Sequence, residues 1–160
     1  MAKITDLKLA YRLFMQAYPY RKVDWRPGAT LTKPIGEARV AIVTTAALHT
    51  PDQPAFDTSI KGGDWSYRVL DANVDLRALR IAHRSDAFDV RGLEADKNLA
   101  LPLDRLKFLA REGVIGEVAP RHFSFMGSIA APGRLIAQTA PEVARALRDD
   151  AVDAVLLTPV

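Results

Sequence analysis

The 160 residues contain no cysteine. This absence excludes disulfides, thiol catalysis and cysteine metal sites within the chain. No apolar run is long enough to span a membrane, and charges occur throughout the first eight residues, where a signal peptide would be apolar. These absences predict a cytoplasmic protein without a membrane segment.

Several motifs with defined chemistry are also missing. No two histidines have the spacing of a helical metal site, so no metal ligand is assigned and metal binding stays open. There is also no Gly-x-Ser-x-Gly nucleophile elbow. The turn Gly62–Trp65 lacks the Gly-Lys-Ser/Thr ending of a phosphate loop. The first 50 residues are basic, with eight Lys/Arg against three Asp/Glu, which leaves a nucleic-acid-binding module as an alternative. A solvated basic surface is favoured, because no Lys/Arg run reaches five residues.

The residues that are present are typical of a soluble globular protein of one domain, with 49% hydrophobic and 26% charged residues. Two short apolar runs, Arg39–Thr45 and Ala154–Leu157, indicate buried parallel strands. Helical patterns occupy Pro102–Arg111 and about 134–147, and the second restarts at a capping box, Thr139–Glu142. We therefore predict an α/β fold with a mostly parallel open sheet and flanking helices, Rossmann-like or flavodoxin-like in outline.

The chain divides into an N-terminal helix and arm, 1–38, and an α/β domain, 39–160. An amphipathic helix is predicted over 4–18, and its aromatic stripe packs either in the core or on a second chain of a homo- or hetero-oligomer. Segment 114–160 is predicted to form a βαβ unit with a right-handed crossover.

Three histidines, His49, His83 and His122, lie in separate segments. A single histidine is more often a structural residue than a base or a ligand. Histidines from separate segments can nevertheless converge, and an imidazole titrates in the range that suits proton transfer. His49 follows the strand Arg39–Thr45, so we expect it near the carboxyl edge of the sheet, where α/β folds bind ligands.

Two further polar clusters are candidates for binding a substrate. Arg121 stands beside His122 and Ser124, and its guanidinium suits a carboxylate, although a salt bridge to Glu117 is an equal alternative. The second cluster contains Asp64, Trp65, Tyr67 and Arg68. Its arginine can bind an anion, or its aromatic residues can enclose a quaternary ammonium group. The structural alternative is a turn with two half-buried aromatic residues.

Seven segments occur in the order that one known family shows. The long segment Gly113–Gly127 is specific, and the others carry weight as a set: Val43–Ala46 with His49, Gly63–Arg68, Leu79–His83, Pro102–Leu106, Thr139–Glu142 and Val155–Val160. From about residue 33 to residue 160, the chain resembles the glycine/sarcosine/betaine reductase selenoprotein B family, which is related to D-proline reductase.

The resemblance implies reductive cleavage of a carbon–nitrogen bond in a small amino acid or an N-methylated amine. In the family, a selenocysteine or cysteine follows the Thr-Pro-Val ending at once and acts as the redox nucleophile. This sequence ends at Val160, so we expect that it stops at an in-frame UGA codon that encodes selenocysteine. The alternative is a short paralogue, complete at 160 residues, that binds a substrate or partner without redox chemistry.

The resemblance and the residue chemistry together predict the site. His49, His83 and His122 are the expected proton donors or partners of the nucleophile. The expected substrate-binding residues are Arg121, Arg68, Asp64, Trp65, Tyr67, Thr44, Thr45, Ser124 and Thr158. No cofactor is expected within this chain, whereas the full-length product would carry selenocysteine. The implied partners are a small amino-acid or amine substrate, a thioredoxin-type reductant and other reductase components.

Overall fold

The computed structural model describes residues 9–17, 28–85, 88 and 90–160. Residues 1–30 and 31–160 form two compact units, and each is described by itself. In the first unit, helix α1 (Leu9–Ala17) covers the described part of the helix predicted over 4–18, and Leu9 and Leu13 are exposed. The other residues of that predicted helix, and the part of the predicted arm up to residue 27, lie outside the described residues.

The second unit is built around strand β1 (Arg39–Thr44), as the unbroken apolar run predicts. The other elements of this unit are β2 (Leu48–His49), β3 (Tyr67–Asp71), β4 (Arg80–Ile81), α2 (Val90–Ala95), α3 (Leu103–Arg111), β5 (Glu117–Val118), β6 (Arg121–Phe125), a π-helical turn (Leu135–Thr139), α4 (Ala140–Asp149) and β7 (Ala154–Thr158). Single 3-10 turns occupy 35–37, 76–78 and 97–99.

The main sheet is mostly parallel, which confirms the predicted fold class. β1 pairs in parallel with β7 on one side and with β5 and β6 on the other, and β3 adds antiparallel to β6. β2 and β4 form a separate two-stranded antiparallel ladder. β6 and β7 lie on opposite sides of β1, run parallel to it and are joined by α4, so they form the βαβ unit that the sequence predicts within 114–160.

Each face of the main sheet packs against a different layer. On one face, Val40 and Ile42 join Leu103 and Leu106 of α3 in the larger core cluster. On the other face, Phe123 and Phe125 of β6 pack with Val143 of α4. The sheet therefore separates an α3 face from an α4 face, and its parallel strands β1, β6 and β7 end at a common carboxyl edge.

The prediction that β7 is buried is wrong. Val155, Leu156 and Leu157 are 38%, 41% and 67% exposed, because within the described residues β7 pairs with β1 alone and forms the edge of the sheet. Its direction is as predicted, since five consecutive residues pair in parallel with β1, from Ala154 to Thr158.

The capping box predicted at Thr139–Glu142 is also wrong. The helix does restart near Pro141, after the π-helical turn, but Thr139 has helical backbone angles and makes no side-chain cap. Its hydroxyl instead donates a hydrogen bond to the Trp65 carbonyl at 2.7 Å. A tertiary contact therefore takes the hydroxyl that a cap would have used.

Candidate functional site at the carboxyl edge

Threonines tie the ends of β1 and β7 together. The Thr45 amide and the Thr44 hydroxyl both donate to the Thr158 carbonyl, at 3.2 and 3.3 Å. The Thr45 hydroxyl accepts from the Val160 amide at 3.0 Å and lies 3.4 Å from the Val160 carbonyl. Thr158 donates its own hydroxyl to the Ala100 carbonyl at 2.6 Å. The three predicted strand-end threonines thus meet at the carboxyl edge, where their hydroxyls hold the last residues in place.

A cavity of about 330 Å³ opens next to this threonine cluster. It is lined by His83, Ser85, Phe88, Ser128 and Val160. Val160 therefore connects the two features, because one side of it is held by Thr45 and the other faces the cavity. This is the position at which open α/β sheets bind ligands, beyond the carboxyl ends of parallel strands.

His83 is the predicted histidine that lines this cavity. Its Nδ1 accepts a hydrogen bond from the Ser85 amide at 3.1 Å, so the proton of the neutral ring is on Nε2. The ring packs on Phe88 with centroids 4.5 Å apart, and burial lowers the pKa of His83. Nε2 is buried and has no hydrogen-bond partner among the residues that the structure describes. The arrangement is a neutral imidazole with a buried, unpaired N–H donor in a residue that lines the cavity.

Gly127 allows this close packing. It has φ +68°, and a Cβ at this position would lie 2.6 Å from the Thr45 carbonyl oxygen and 3.1 Å from His83 Nε2. The first of these distances is shorter than any van der Waals contact, so a side chain would displace the strand end or the imidazole. Sequence reasoning did not single out this glycine, although it closes the specific segment Gly113–Gly127.

The other two histidines lie away from the cavity. His122 is fully buried in β6, its Nδ1 accepts from the Ile42 amide at 3.0 Å, and burial lowers its pKa to about 4. His49 lies opposite Arg80 in the two-stranded ladder, with its Nδ1 2.9 Å from the Thr50 carbonyl. The structure therefore does not bring the three histidines together. The proton-transfer role predicted for them stays a prediction, and His83 is the one that lines this cavity.

Arg121 and Ser124 make contacts within the fold. Arg121 forms a two-pronged ion pair with Asp150 at the end of α4, with N–O distances of 2.8 and 2.7 Å. Glu117, the partner considered from the sequence, pairs with Arg39 instead. Ser124 is buried and accepts a hydrogen bond from the Leu48 amide at 2.8 Å. A substrate role for Arg121 would require it to exchange Asp150 for a ligand carboxylate.

Arg68 and Asp64 organise the loop that precedes β3. Arg68 donates to the Pro54 and Ala55 carbonyls at 2.7 and 3.1 Å, and its guanidinium lies 4.2 Å from the Phe56 ring centroid. The Asp64 carboxylate accepts the amides of Asp57 and Ser66, each at 2.8 Å.

The two aromatic residues of this cluster already have neighbours. The Arg134 guanidinium stands 4.3 Å from the Trp65 ring centroid, so a cation of the protein covers a face that was considered for a quaternary ammonium group. Tyr67 packs on Phe123 and Phe125 with centroids 5.9 Å apart. The sequence places Arg134 at the start of the last helical pattern but contains no signal for this contact, because Arg134 lies about 70 positions from Trp65 along the chain.

The described ranges contain neither a metal-binding cluster nor a membrane-spanning helix. No group of three or more His, Asp or Glu side chains there could hold a metal ion. No helix in the part of the chain that the structure describes has the length and apolar character needed to cross a bilayer.

Comparison with known proteins places the chain beside amino-acid reductases. It is 34% identical over 134 residues to the D-proline reductase subunit gamma of Acetoanaerobium sticklandii, covering 84% of this chain and 52% of that protein. It is 28% identical over 151 residues to the betaine reductase complex component B subunit beta of Peptoclostridium acidaminophilum, covering 94% and 34%. It is 29% identical over 157 residues to the glycine reductase complex component B subunit gamma of Symbiobacterium thermophilum, covering 94% and 35%.

The chain thus spans about half, or about a third, of the length of these curated relatives. No solved structure matches it. Residues 4–160 match the family described as glycine/sarcosine/betaine reductase selenoprotein B, which includes the whole carboxyl edge with Thr45, His83 and Val160. Because that match covers nearly the entire chain, the protein belongs to the glycine/sarcosine/betaine reductase selenoprotein B family.

Proposed function

We propose that this chain forms the substrate side of a selenoprotein B-type reductase component, and that a selenolate or thiolate directly after Val160 is its nucleophile. The observation that carries the proposal is the position of Val160. Its backbone is held by Thr45, and it lines the same cavity as His83. A reactive residue placed next in the chain would therefore stand at the mouth of this cavity.

The proposed reaction is reductive cleavage of a carbon–nitrogen bond in a small amino acid or N-methylated amine. The selenolate or thiolate forms a bond to the carbon, the carbon–nitrogen bond breaks, and its electron pair leaves with the amine. A dithiol reductant of the thioredoxin type then supplies two electrons and two protons and becomes a disulfide. The selenium–carbon or sulfur–carbon bond breaks, the carbon gains a hydrogen, and the selenol or thiol is regenerated. The proposal therefore includes a redox partner, consistent with relatives that are named as components of reductase complexes.

His83 would supply a hydrogen bond and remain uncharged. Its Nδ1 is occupied by the Ser85 amide, so Nε2–H is the donor that can meet a substrate carboxylate or a leaving amine. Burial lowers its pKa, which keeps the ring neutral at pH 7. A neutral donor of this kind orients a substrate without neutralising a nearby selenolate.

The test is to read the nucleotides after the Val160 codon and to express the extended product with a cysteine codon at the first following position. We expect thiol-dependent reduction of one of the substrates glycine, sarcosine, betaine or D-proline, and loss of that turnover when the codon encodes serine. A stop codon other than UGA, with no reading frame beyond it, would contradict the proposal. Binding of the substrate without turnover in the cysteine form would instead indicate a non-catalytic binding subunit.

A matched pair of variants tests the role of His83 in the extended product. His83→Asn keeps an acceptor for the Ser85 amide but removes the Nε2 position, and His83→Gln keeps a donor near that position. We expect the asparagine variant to lose on the order of tenfold to a hundredfold in kcat/KM and the glutamine variant to lose less. Equal activity of both variants and the parent would remove His83 from the site.

A further inference from the structure

An apolar groove of about 540 Å³ lies on the α4 face of the main sheet. Its walls include Val143, Ala144 and Leu147 of α4, together with Val43, Val155 and Leu157 of the sheet. Leu157 is 67% exposed, and Ala144 is also exposed. A groove with this lining would be stabilised by the apolar face of another element.

The free edge of β7 borders this groove. Within the described ranges, β7 pairs only with β1. The Thr158 carbonyl faces β1, where it accepts the Thr45 amide, so the alternation of the ladder turns the backbone amides of Val155 and Leu157 to the free edge.

The side chains of β7 are those of an interior strand. Ala154–Thr158 contains no charged residue, and its large side chains are apolar on both faces. β3, at the opposite edge of the sheet, carries the charged residues Arg68 and Asp71. Natural edge strands are commonly protected by such charges, whereas strands covered on both faces are continuously apolar. β7 therefore has the sequence of a strand with a neighbour on each side.

The topology indicates where the next elements would lie. The chain passes from β6 across β1 to β7, and its crossover helix α4 packs on the Phe123 face. The hand of such a crossover is nearly invariant, so a second crossover that continues in the same direction must place its helix on the same face. That location is beside α4 and over β7, which is the apolar groove.

We propose that the polypeptide following Val160 in the extended product forms a helix that lies in this groove, and then a strand that pairs in parallel with the free edge of β7. The inference rests on the proposed function, because it requires the extended product. This chain matches 52% of the D-proline reductase subunit gamma and 34% of the betaine reductase component, so each relative contains enough unmatched residues for a further helix and strand. The occupant is thus a helix with an apolar stripe, joined in cis.

Hydrogen exchange tests the strand. In the 160-residue chain, the amides of Val155 and Leu157 have no ladder partner, so they exchange rapidly. In the extended product, we expect their exchange to slow by at least about tenfold, while the amides of β3 remain unchanged. Equal exchange of β7 in both proteins would overturn the proposal.

A pair of groove variants tests the helix. Ala144→Glu places a charge in the groove, and Arg145→Ala makes the same net charge change at the next, exposed position of α4. We expect Ala144→Glu to lower the Tm of the extended product by at least about 3 °C, with little effect on the 160-residue chain, and Arg145→Ala to affect neither. An equal Tm shift of Ala144→Glu in both proteins would overturn the helix assignment.

The remaining outcomes separate this inference from the proposed function. An extended product that turns over substrate but leaves β7 unprotected overturns the inference alone. One that protects β7 without reducing a substrate overturns the function alone. If the 160-residue chain is a dimer in which β7 is already protected, a second copy covers the edge and the inference is wrong; light scattering with hydrogen exchange would show this.

Discussion

The imidazole Nδ1 of His122 accepts a hydrogen bond from the backbone amide of Ile42 at 3.0 Å. The pairing around this bond is irregular, because Val40 pairs with Val118 but Val43 pairs with Phe123. The β5–β6 side therefore uses two more residues than β1 between these positions. The ladder is interrupted here, and the His122 ring accepts the hydrogen bond of the Ile42 amide. In a regular ladder this amide would donate to a backbone carbonyl.

This relationship predicts that His122 is required for stability. His122→Leu keeps the apolar volume but leaves the Ile42 amide unpaired in the core, and we expect a loss of about 2–3 kcal/mol in the free energy of unfolding. His122→Asn retains an acceptor near the Nδ1 position and should lose less of the bond. Urea denaturation measures both changes. A leucine variant as stable as the parent would contradict the requirement for His122, whose Nε2 is buried without a partner among the described residues.

The same burial predicts a dependence of stability on pH. The pKa of His122 is lowered to about 4 in the folded chain, against about 6.5 for an unperturbed imidazole. Between these values the unfolded chain binds the additional proton, so stability is full above about pH 6.5 and falls by about 3 kcal/mol as the pH drops toward about 4. His83, whose pKa burial also lowers, contributes in the same direction.

Urea denaturation between pH 7 and pH 4.5 measures this dependence. The Asp153 carboxylate, whose pKa is held down first by the Arg39 amide and then by Lys33, loses its contribution at lower pH than the histidines. His122→Leu should therefore flatten most of the slope in this range. A slope that is unchanged in this variant would assign the dependence to other groups.

Variants of Arg121 and of its ion-pair partner Asp150 distinguish a structural role of Arg121 from a role in substrate binding. Arg121 is partly exposed, so we expect Arg121→Gln to cost less than about 1 kcal/mol of stability. Asp150→Asn should cost a similar amount, and the double variant should be non-additive. A role in substrate binding adds a second effect, a raised KM in the extended product for Arg121→Gln but not for Asp150→Asn. Equal KM values would leave Arg121 as a tie between β6 and α4.

Several elements could be predicted because their signals are local. The apolar run of β1 and the pattern of α3 with Pro102 at its start are properties of contiguous residues, and both elements lie where the sequence places them. The restart of the last helix near Pro141 follows from a single residue that cannot donate an amide hydrogen bond. The direction of β7 follows from the crossover helix before it.

The features that sequence reasoning missed depend on distant partners. The exposure of β7 is decided by how many strands flank it, which its own apolar residues do not encode. The three histidines lie in different environments. His122 accepts the Ile42 amide in the interrupted β1–β6 ladder, and His49 belongs to the two-stranded β2–β4 ladder. Neither arrangement has a local signal in the sequence. Gly127 is required because Thr45 and His83 approach from other segments.

Gly127 and Gly113 form a matched pair that tests this close approach. Both have φ +68°, but a Cβ at Gly113 would meet nothing within 4 Å. Gly113→Ala should therefore cost only the backbone strain of about 1 kcal/mol. Gly127→Ala should cost about 1–3 kcal/mol more, because its methyl group would overlap the Thr45 carbonyl. Thermal unfolding measures the difference, and equal losses would mean that the edge adapts without strain.

The Thr45 hydroxyl is predicted to hold the end of β7 at the cavity. Thr45→Val keeps the shape of the side chain but removes the group that accepts the Val160 amide at 3.0 Å, whereas Thr45→Ser retains it. Since one such bond contributes about 1 kcal/mol, we expect the Val160 amide to exchange roughly fivefold faster in the valine variant and at the parent rate in the serine variant. In the extended product, the same loosening would misplace a nucleophile attached to Val160, so kcat should fall while KM changes little. Faster exchange without a fall in kcat would show that the hydroxyl orders the chain end but does not position the reacting group.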